Sequence, residues 1–157
     1  MSKFVSTSLC VLLLAVAGPA SAEGQVLSND LSKCQSGPST LVQISGLKAG
    51  TGKVRVQSYR ATPSEWLAKG KWISRIEAPV RGGSMTICMP LPAAGTYGIA
   101  VRHDVNGNGK TDLSSDGGGM SNNPSINIFN LGKPSYKKTA FVVGNAPKTI
   151  SITMKYM

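Results

Sequence analysis

A chain of 157 residues carrying 17 Lys+Arg against 7 Asp+Glu has room for one ordinary domain and no second one. At 41% hydrophobic and 15% charged residues it holds enough apolar material to fold, while 18 glycines and 9 prolines disfavour a helical bundle. A single histidine and three cysteines exclude most histidine-based catalytic constellations and, within one chain, a Cys/His zinc cluster.

Residues 1–22 begin with one positive charge at Lys3, pass through the apolar run from Leu9 to Ala17 and end Gly18-Pro19-Ala20-Ser21-Ala22. This is the pattern of a cleaved secretory signal, with the cut expected between Ala22 and Glu23. The apolar run falls short of the roughly 20 residues that a bilayer-spanning helix needs, so no transmembrane segment is expected after cleavage. The predicted location is periplasmic or extracellular. Cleavage removes Lys3 and Cys10, lowering the net charge of +10 by one and leaving Cys34 and Cys88. An even pair of cysteines in an oxidising compartment, with no third Cys or His nearby, reads as one structural disulfide. Closing a loop of about 55 residues in this way stabilises a fold by roughly 4 kcal/mol in the chain-entropy model.

After an N-terminal extension over residues 23–38, residues 39–157 read as a mostly β domain. Apolar and polar residues alternate in Val42-Gln43-Ile44, in Val54-Arg55-Val56 towards Tyr59, and in Met85-Thr86-Ile87-Cys88-Met89. The same period recurs from Tyr97 to Arg102 and from Ile150 to Tyr156, and a further strand is expected at Ala140-Phe141-Val142-Val143. Glycine and proline clusters punctuate these runs at residues 48–52, 81–83, 90–95 and 144–147. The expected fold is a single antiparallel β-sandwich of about seven strands with one short helix and one long loop. The helix is expected at Pro63-Ser64-Glu65-Trp66-Leu67-Ala68, with Thr62 as N-cap and Glu65 in the capping-box place. The long loop runs from Asp104 to about Tyr136, and connections of that length are usually functional or disordered.

Residues 104–112, Asp-Val-Asn-Gly-Asn-Gly-Lys-Thr-Asp, fit the first nine places of a calcium loop. Side-chain oxygens of Asp104, Asn106, Asn108 and Asp112 fall at places 1, 3, 5 and 9, glycine is at place 6, and Lys110 would offer its carbonyl. Place 12 is Ser115, so Asp116 is the nearest closing carboxylate. With few carboxylates in a basic chain, calcium would bind weakly. The same residues are also good turn chemistry that needs no ion. Gly107 to Thr111 imitates the end of a phosphate loop but lacks its leading glycine, and Gly117-Gly118-Gly119 reads as a flexible turn. His103 has no partner for catalysis and reads as a strand-end residue. Trp66, Lys69, Lys71, Trp72 and Arg75 interleave aromatics with cations, which offers an alternative role as a binder of envelope polyanions or anionic lipid. Export makes nucleic acid an unexpected partner; an unidentified protein or a polyanion is the expected one.

The combination of Leu91-Pro92, Gly95 and Tyr97, then His103-Asp104, Asn106, Asn108-Gly109 and Asp112, and later Gly119-Met120-Ser121-Asn122-Asn123 resembles an exported bacterial family, domain of unknown function 2141. The likeness covers about residues 39–157. It implies a prealbumin-like or immunoglobulin-like sandwich outside the cytoplasm with no established activity. The family pattern is longer between Asp112 and Gly119 and offers a glutamate there, where this chain has only Asp116. Hydroxyisourate hydrolases of the prealbumin-like fold end in Tyr-Arg-Gly-Ser and use several histidines; this chain ends Met154-Lys155-Tyr156-Met157. The expectation is a non-enzymatic module.

Overall fold

The computed structural model describes residues 24–48, 50–127, 130 and 132–156, so the expected signal segment lies outside the described residues. Among the described residues ten strands run in chain order: β1 (Gln25–Leu27), β2 (Ser39–Ser45), β3 (Lys53–Arg60), β4 (Ser74–Pro79), β5 (Ser84–Pro90), β6 (Gly95–Asp104), β7 (Gly117–Met120), β8 (Phe141–Val143), β9 (Lys148–Thr153) and β10 (Lys155–Tyr156). They form two sheets. The larger has the order β1-β4-β3-β6-β7-β10, with β8 also paired to β6, and the smaller has the order β5-β2-β9.

The alternation read from the sequence is what builds the interior. In β2, Val42 and Ile44 are buried while Gln43 and Ser45 are exposed, and Val54 and Val56 of β3 behave in the same way. One core cluster takes Val42, Ile44, Ile87, Met89 and Ile152 from the small sheet and Val54, Val56, Ile76, Ile99 and Val101 from the large one, so the sheets face each other across it. The pairing is more mixed than expected: β1 joins β4 and β9 joins β2 in parallel, and the rest are antiparallel. β1 and β4 were not foreseen, and β1 brings part of the 23–38 extension into the large sheet. Cys34, in a 3-10 turn (Leu31–Cys34), is disulfide-bonded to Cys88 of β5, fastening that extension to the small sheet as the cysteine count predicted.

Three local expectations are corrected. Residues 63–67 form a succession of turns, closed by the Glu65 and Trp66 amides on the Thr62 carbonyl, and the short α-helix is instead Tyr136–Thr139 with Ser135 as its N-cap. The closing run is two strands: β9 pairs with the small sheet, and after Met154, whose amide donates to Ser45 O at 2.9 Å, β10 pairs with β7 of the large sheet. A chain that changes sheets in this way closes one side of the sandwich. Finally, Gly117-Gly118-Gly119 is a strand. Its pairing with β6 sets Tyr156, Gly117 and His103 side by side across β10, β7 and β6. A Cβ on Gly117 would stand 2.5 Å from the Tyr156 ring, and one on Gly119 would stand 2.6 Å from Ile152. Gly117 and Gly119 are glycine because the closing segment lies directly over them.

Candidate functional site

The interior strand β6 ends at Asp104, where the chain leaves pairing and curls through residues 105–116. Asp104 is only 4% exposed. Its Oδ2 accepts the Gly109 amide at 2.8 Å and lies 3.5 Å from Arg102 Nη2, while its Oδ1 is buried with no hydrogen-bond partner. A buried carboxylate oxygen without a donor costs about 1–3 kcal/mol or more. Gly107 and Gly109 hold φ of 70° and 79°, the left-handed region that lets so short a segment bring the place-6 amide back onto the place-1 carboxylate.

The remaining oxygens organise the loop from within. Asn106 Oδ1 accepts the Asn108 amide at 3.1 Å, and Asn108 Oδ1 accepts the Lys110 amide at 2.7 Å. The two side-chain amides donate to one oxygen, Asp112 Oδ2, at 2.8 and 2.7 Å. Those bonds hold the Asp112 carboxyl below its usual range, with Asn106 the larger contributor and Asn108 next. Two N–H dipoles converging on one carboxylate take the electrostatic part that a cation would take. Asp104, Asn106, Asn108 and Asp112 are thus gathered on one loop, with Lys110 between them.

Asp116 stands apart from this set. Its Oδ1 accepts the Val105 amide at 3.1 Å and its Oδ2 accepts the Asp112 amide at 3.0 Å, so it clasps the two ends of the loop. Among the described residues there is no group of three or more His, Cys, Asp or Glu side chains placed to hold a metal ion. Any ion on this loop must therefore lean on amide and main-chain oxygens, which hard cations such as calcium accept and softer metals do not.

His103 is fully buried, with both ring nitrogens occupied. Nε2 lies 2.8 Å from Thr51 O, which can only accept, so Nε2 carries the proton and Nδ1 accepts from the Tyr156 hydroxyl at 2.6 Å. The Tyr156 oxygen accepts the Lys48 amide at 3.0 Å, completing a chain of donors and acceptors across the end of the sandwich. The histidine is a structural strand-end residue, and the reach of Tyr156 over Gly117 was the part that sequence reading did not supply.

Other motif residues also have structural work. Ser121 Oγ accepts the Ile99 amide at 3.0 Å and donates to Thr139 O at 2.6 Å, in the gap where β7 ends and β8 takes over along β6. Asn122 donates to Ala140 O at 2.8 Å; Asn123 donates to Ser151 O at 3.0 Å and accepts the Thr153 amide at 2.8 Å. Tyr97 donates its hydroxyl to Ala93 O at 2.8 Å. Of the two tryptophans, Trp66 packs edge-on to Tyr59, lies over the backbone at Gly98 and donates Nε1 to Pro134 O at 2.8 Å. Trp72 is stacked under the Arg75 guanidinium, 4.3 Å from its ring centre.

A family model described as "Uncharacterized protein conserved in bacteria (DUF2141)" matches residues 42–151, most of the chain and all of the loop just described. No curated protein and no solved structure gives a significant match.

Proposed function

The chain belongs to the DUF2141 family, whose description names no activity, and we propose that it is an exported, non-enzymatic sandwich module whose loop at residues 104–112 takes calcium weakly and orders a partner-binding face beside it. The observation that carries the ion reading is Asp104 Oδ1, a buried carboxylate oxygen with no partner at the first place of a loop whose other oxygens lie on the same turn. The non-enzymatic reading rests on the polar residues of the motif: His103, Tyr97, Ser121, Asn122 and Asn123 all have hydrogen-bond partners that fix strands or the turns beside them. Export rests on the pattern of residues 1–22 and agrees with the disulfide, which persists in oxidising compartments.

Two carboxylates, with Arg102 beside one of them, limit the affinity. At a dissociation constant of about 10⁻⁴ M, millimolar calcium adds about 1.4 kcal/mol of stability, or roughly 4 °C in melting temperature for a domain of this size. Melting of chelator-treated protein with and without millimolar calcium tests this, on the wild type and on Asp104→Asn. The wild type is expected to rise and the variant to stay put; a wild-type melt indifferent to calcium refutes the ion site. Polyanion binding through the Trp66 to Arg75 region is the second reading, favoured by the half-buried Arg75–Trp72 stack beside the exposed Lys69 and Lys71. Sedimentation with anionic vesicles at low and high salt decides it, and absence of binding at low salt ends it.

A further inference from the structure

We propose that the outer face of the large sheet carries a cleft for a small amphipathic anion: a free single-chain molecule with an apolar body and one sulfate, phosphate or carboxylate head. The proposal gives a chemistry to the binding face read above, and it stands without the ion.

The register of the sheet lines up Glu77, Arg55, Arg102, Gly118 and Lys155 as one row across β4, β3, β6, β7 and β10. At Gly118 this row has no side chain, and the floor opens into a cavity of about 540 Å³, within the range of small-molecule sites. Its walls are apolar: Leu67 from the turns after β3, Leu113 from the ion loop, Met120 at the end of β7, and Ile126. Leu113 is 60% exposed, a large apolar side chain at the rim. Met120 is the adaptable kind of side chain that fits bodies of varied shape.

Charge selects the head group. Arg102, Lys133 and Lys155 line the cavity against a single carboxylate, Asp116, whose two oxygens are already held by main-chain amides. Arg102 spends its outer nitrogens on Thr111 Oγ1, on Gly109 O and, at 3.5 Å, on the Asp104 carboxylate, yet its Nε is buried with no partner. Lys133 and Lys155 are exposed and free to turn inward. An apolar body with a negative end fits this lining; an uncharged one leaves the cations unanswered.

Calorimetric titration in chelator-containing buffer tests the cleft separately from the ion, using decyl sulfate below its micelle concentration, decyl maltoside as the uncharged tail and inorganic sulfate as the bare head. Decyl sulfate is expected to bind at least tenfold more tightly than decyl maltoside, with inorganic sulfate not detected. Among the described residues a Cβ at Gly118 would meet Ile126 at 3.9 Å, an ordinary contact, so Gly118→Leu places a side chain on the floor and should weaken decyl sulfate at least tenfold. Lys133→Glu with Lys155→Glu should reduce decyl sulfate to the level of the maltoside. If Gly118→Leu fails to fold, Leu113→Asp at the exposed rim makes the same test. Wild-type protein that ignores decyl sulfate, equal binding of both tailed probes, or undiminished binding to the filled cleft overturns the proposal. So does capture by anionic vesicles that Gly118→Leu leaves intact.

Discussion

Two glycine-rich stretches lie ten residues apart and use the residue for opposite reasons. Gly107 and Gly109 stand in open space with positive φ, and it is their backbone freedom that lets the loop fold back on Asp104. Gly117 and Gly119 have ordinary extended backbones inside β7, and it is the missing side chain that matters, because Tyr156 and Ile152 occupy the volume a Cβ would need. Between them, Gly118 faces the other way and leaves a cavity unfilled. The pair of stretches teaches that glycine content signals a turn only where the chain is unpaired. In a sheet it signals that something lies close above.

The sharpest way to break this comparison is to place side chains in β7. Gly119→Val would push branched carbons into Ile152 Cγ2 and into Met154 Sδ, which stands 3.0 Å from the site of the first added carbon. Overpacking of this kind costs about 1–3 kcal/mol, and the upper end is expected because β9 and β10 are fixed on either side. Urea melts of Gly119→Val and Gly118→Ala make the check: the first should lose most of that range and the second should change by less than about 0.5 kcal/mol. Equal losses would mean that strand propensity, not contact, governs β7.

A smaller effect probes the ring that Gly117 admits. Tyr156→Phe keeps the ring over Gly117 but removes the hydroxyl, leaving His103 Nδ1 without its donor and the Lys48 amide without its acceptor. The expected loss is about 1–2 kcal/mol. Burial raises the Tyr156 hydroxyl above its ordinary value, against a smaller opposing effect of the Lys48 amide. A group raised on folding contributes stability that is present below its unfolded value, about 10, and is lost as pH climbs through the folded one. The wild type should therefore lose more melting temperature than Tyr156→Phe between about pH 8 and about pH 11. Parallel losses would show that the hydroxyl adds nothing in the fold.

How far the sequence reveals this molecule follows the same division. Strands with one buried face announce themselves, as Val54-Arg55-Val56 and Val42-Gln43-Ile44 do, because burial imposes a period of two. Strand β7 has no apolar side chain until Met120, so it carries no period and reads as a turn. Strand β4 does alternate, Arg75 and Glu77 out and Ile76 in, but it is short and begins inside the basic Trp66 to Arg75 stretch, so its period is hard to see. The turn at residues 104–112 was legible because its spacing is local. The outer-face row was not, since Arg55, Arg102 and Lys155 meet only through the pairing of strands far apart in the chain. Asp116 was read as a ligand from its place in the count; that its two oxygens accept the Val105 and Asp112 amides is visible only in the fold.

The smallest effect belongs to the open glycines. Gly107→Ala meets nothing within 4 Å, so its cost is the backbone alone, about 1 kcal/mol for a left-handed residue that gains a Cβ. Gly107→Asn should recover part of it, because asparagine tolerates that conformation. The loop also carries its own acid sensitivity. Asp112 is held below the ordinary carboxylate value by the Asn106 and Asn108 amides, so its share of stability is present above that value and fades as pH falls through the folded one. Gly107→Ala should cost nearly the same amount with and without calcium if the residues are connective only. If calcium sits on Asp104, Asn106, Asn108 and Asp112, distorting the turn also weakens the ion, and the deficit in melting temperature widens when calcium is added. A deficit that calcium leaves unchanged would place residues 104–112 with ordinary turns, and the positive φ at Gly107 would then serve the hairpin and nothing more.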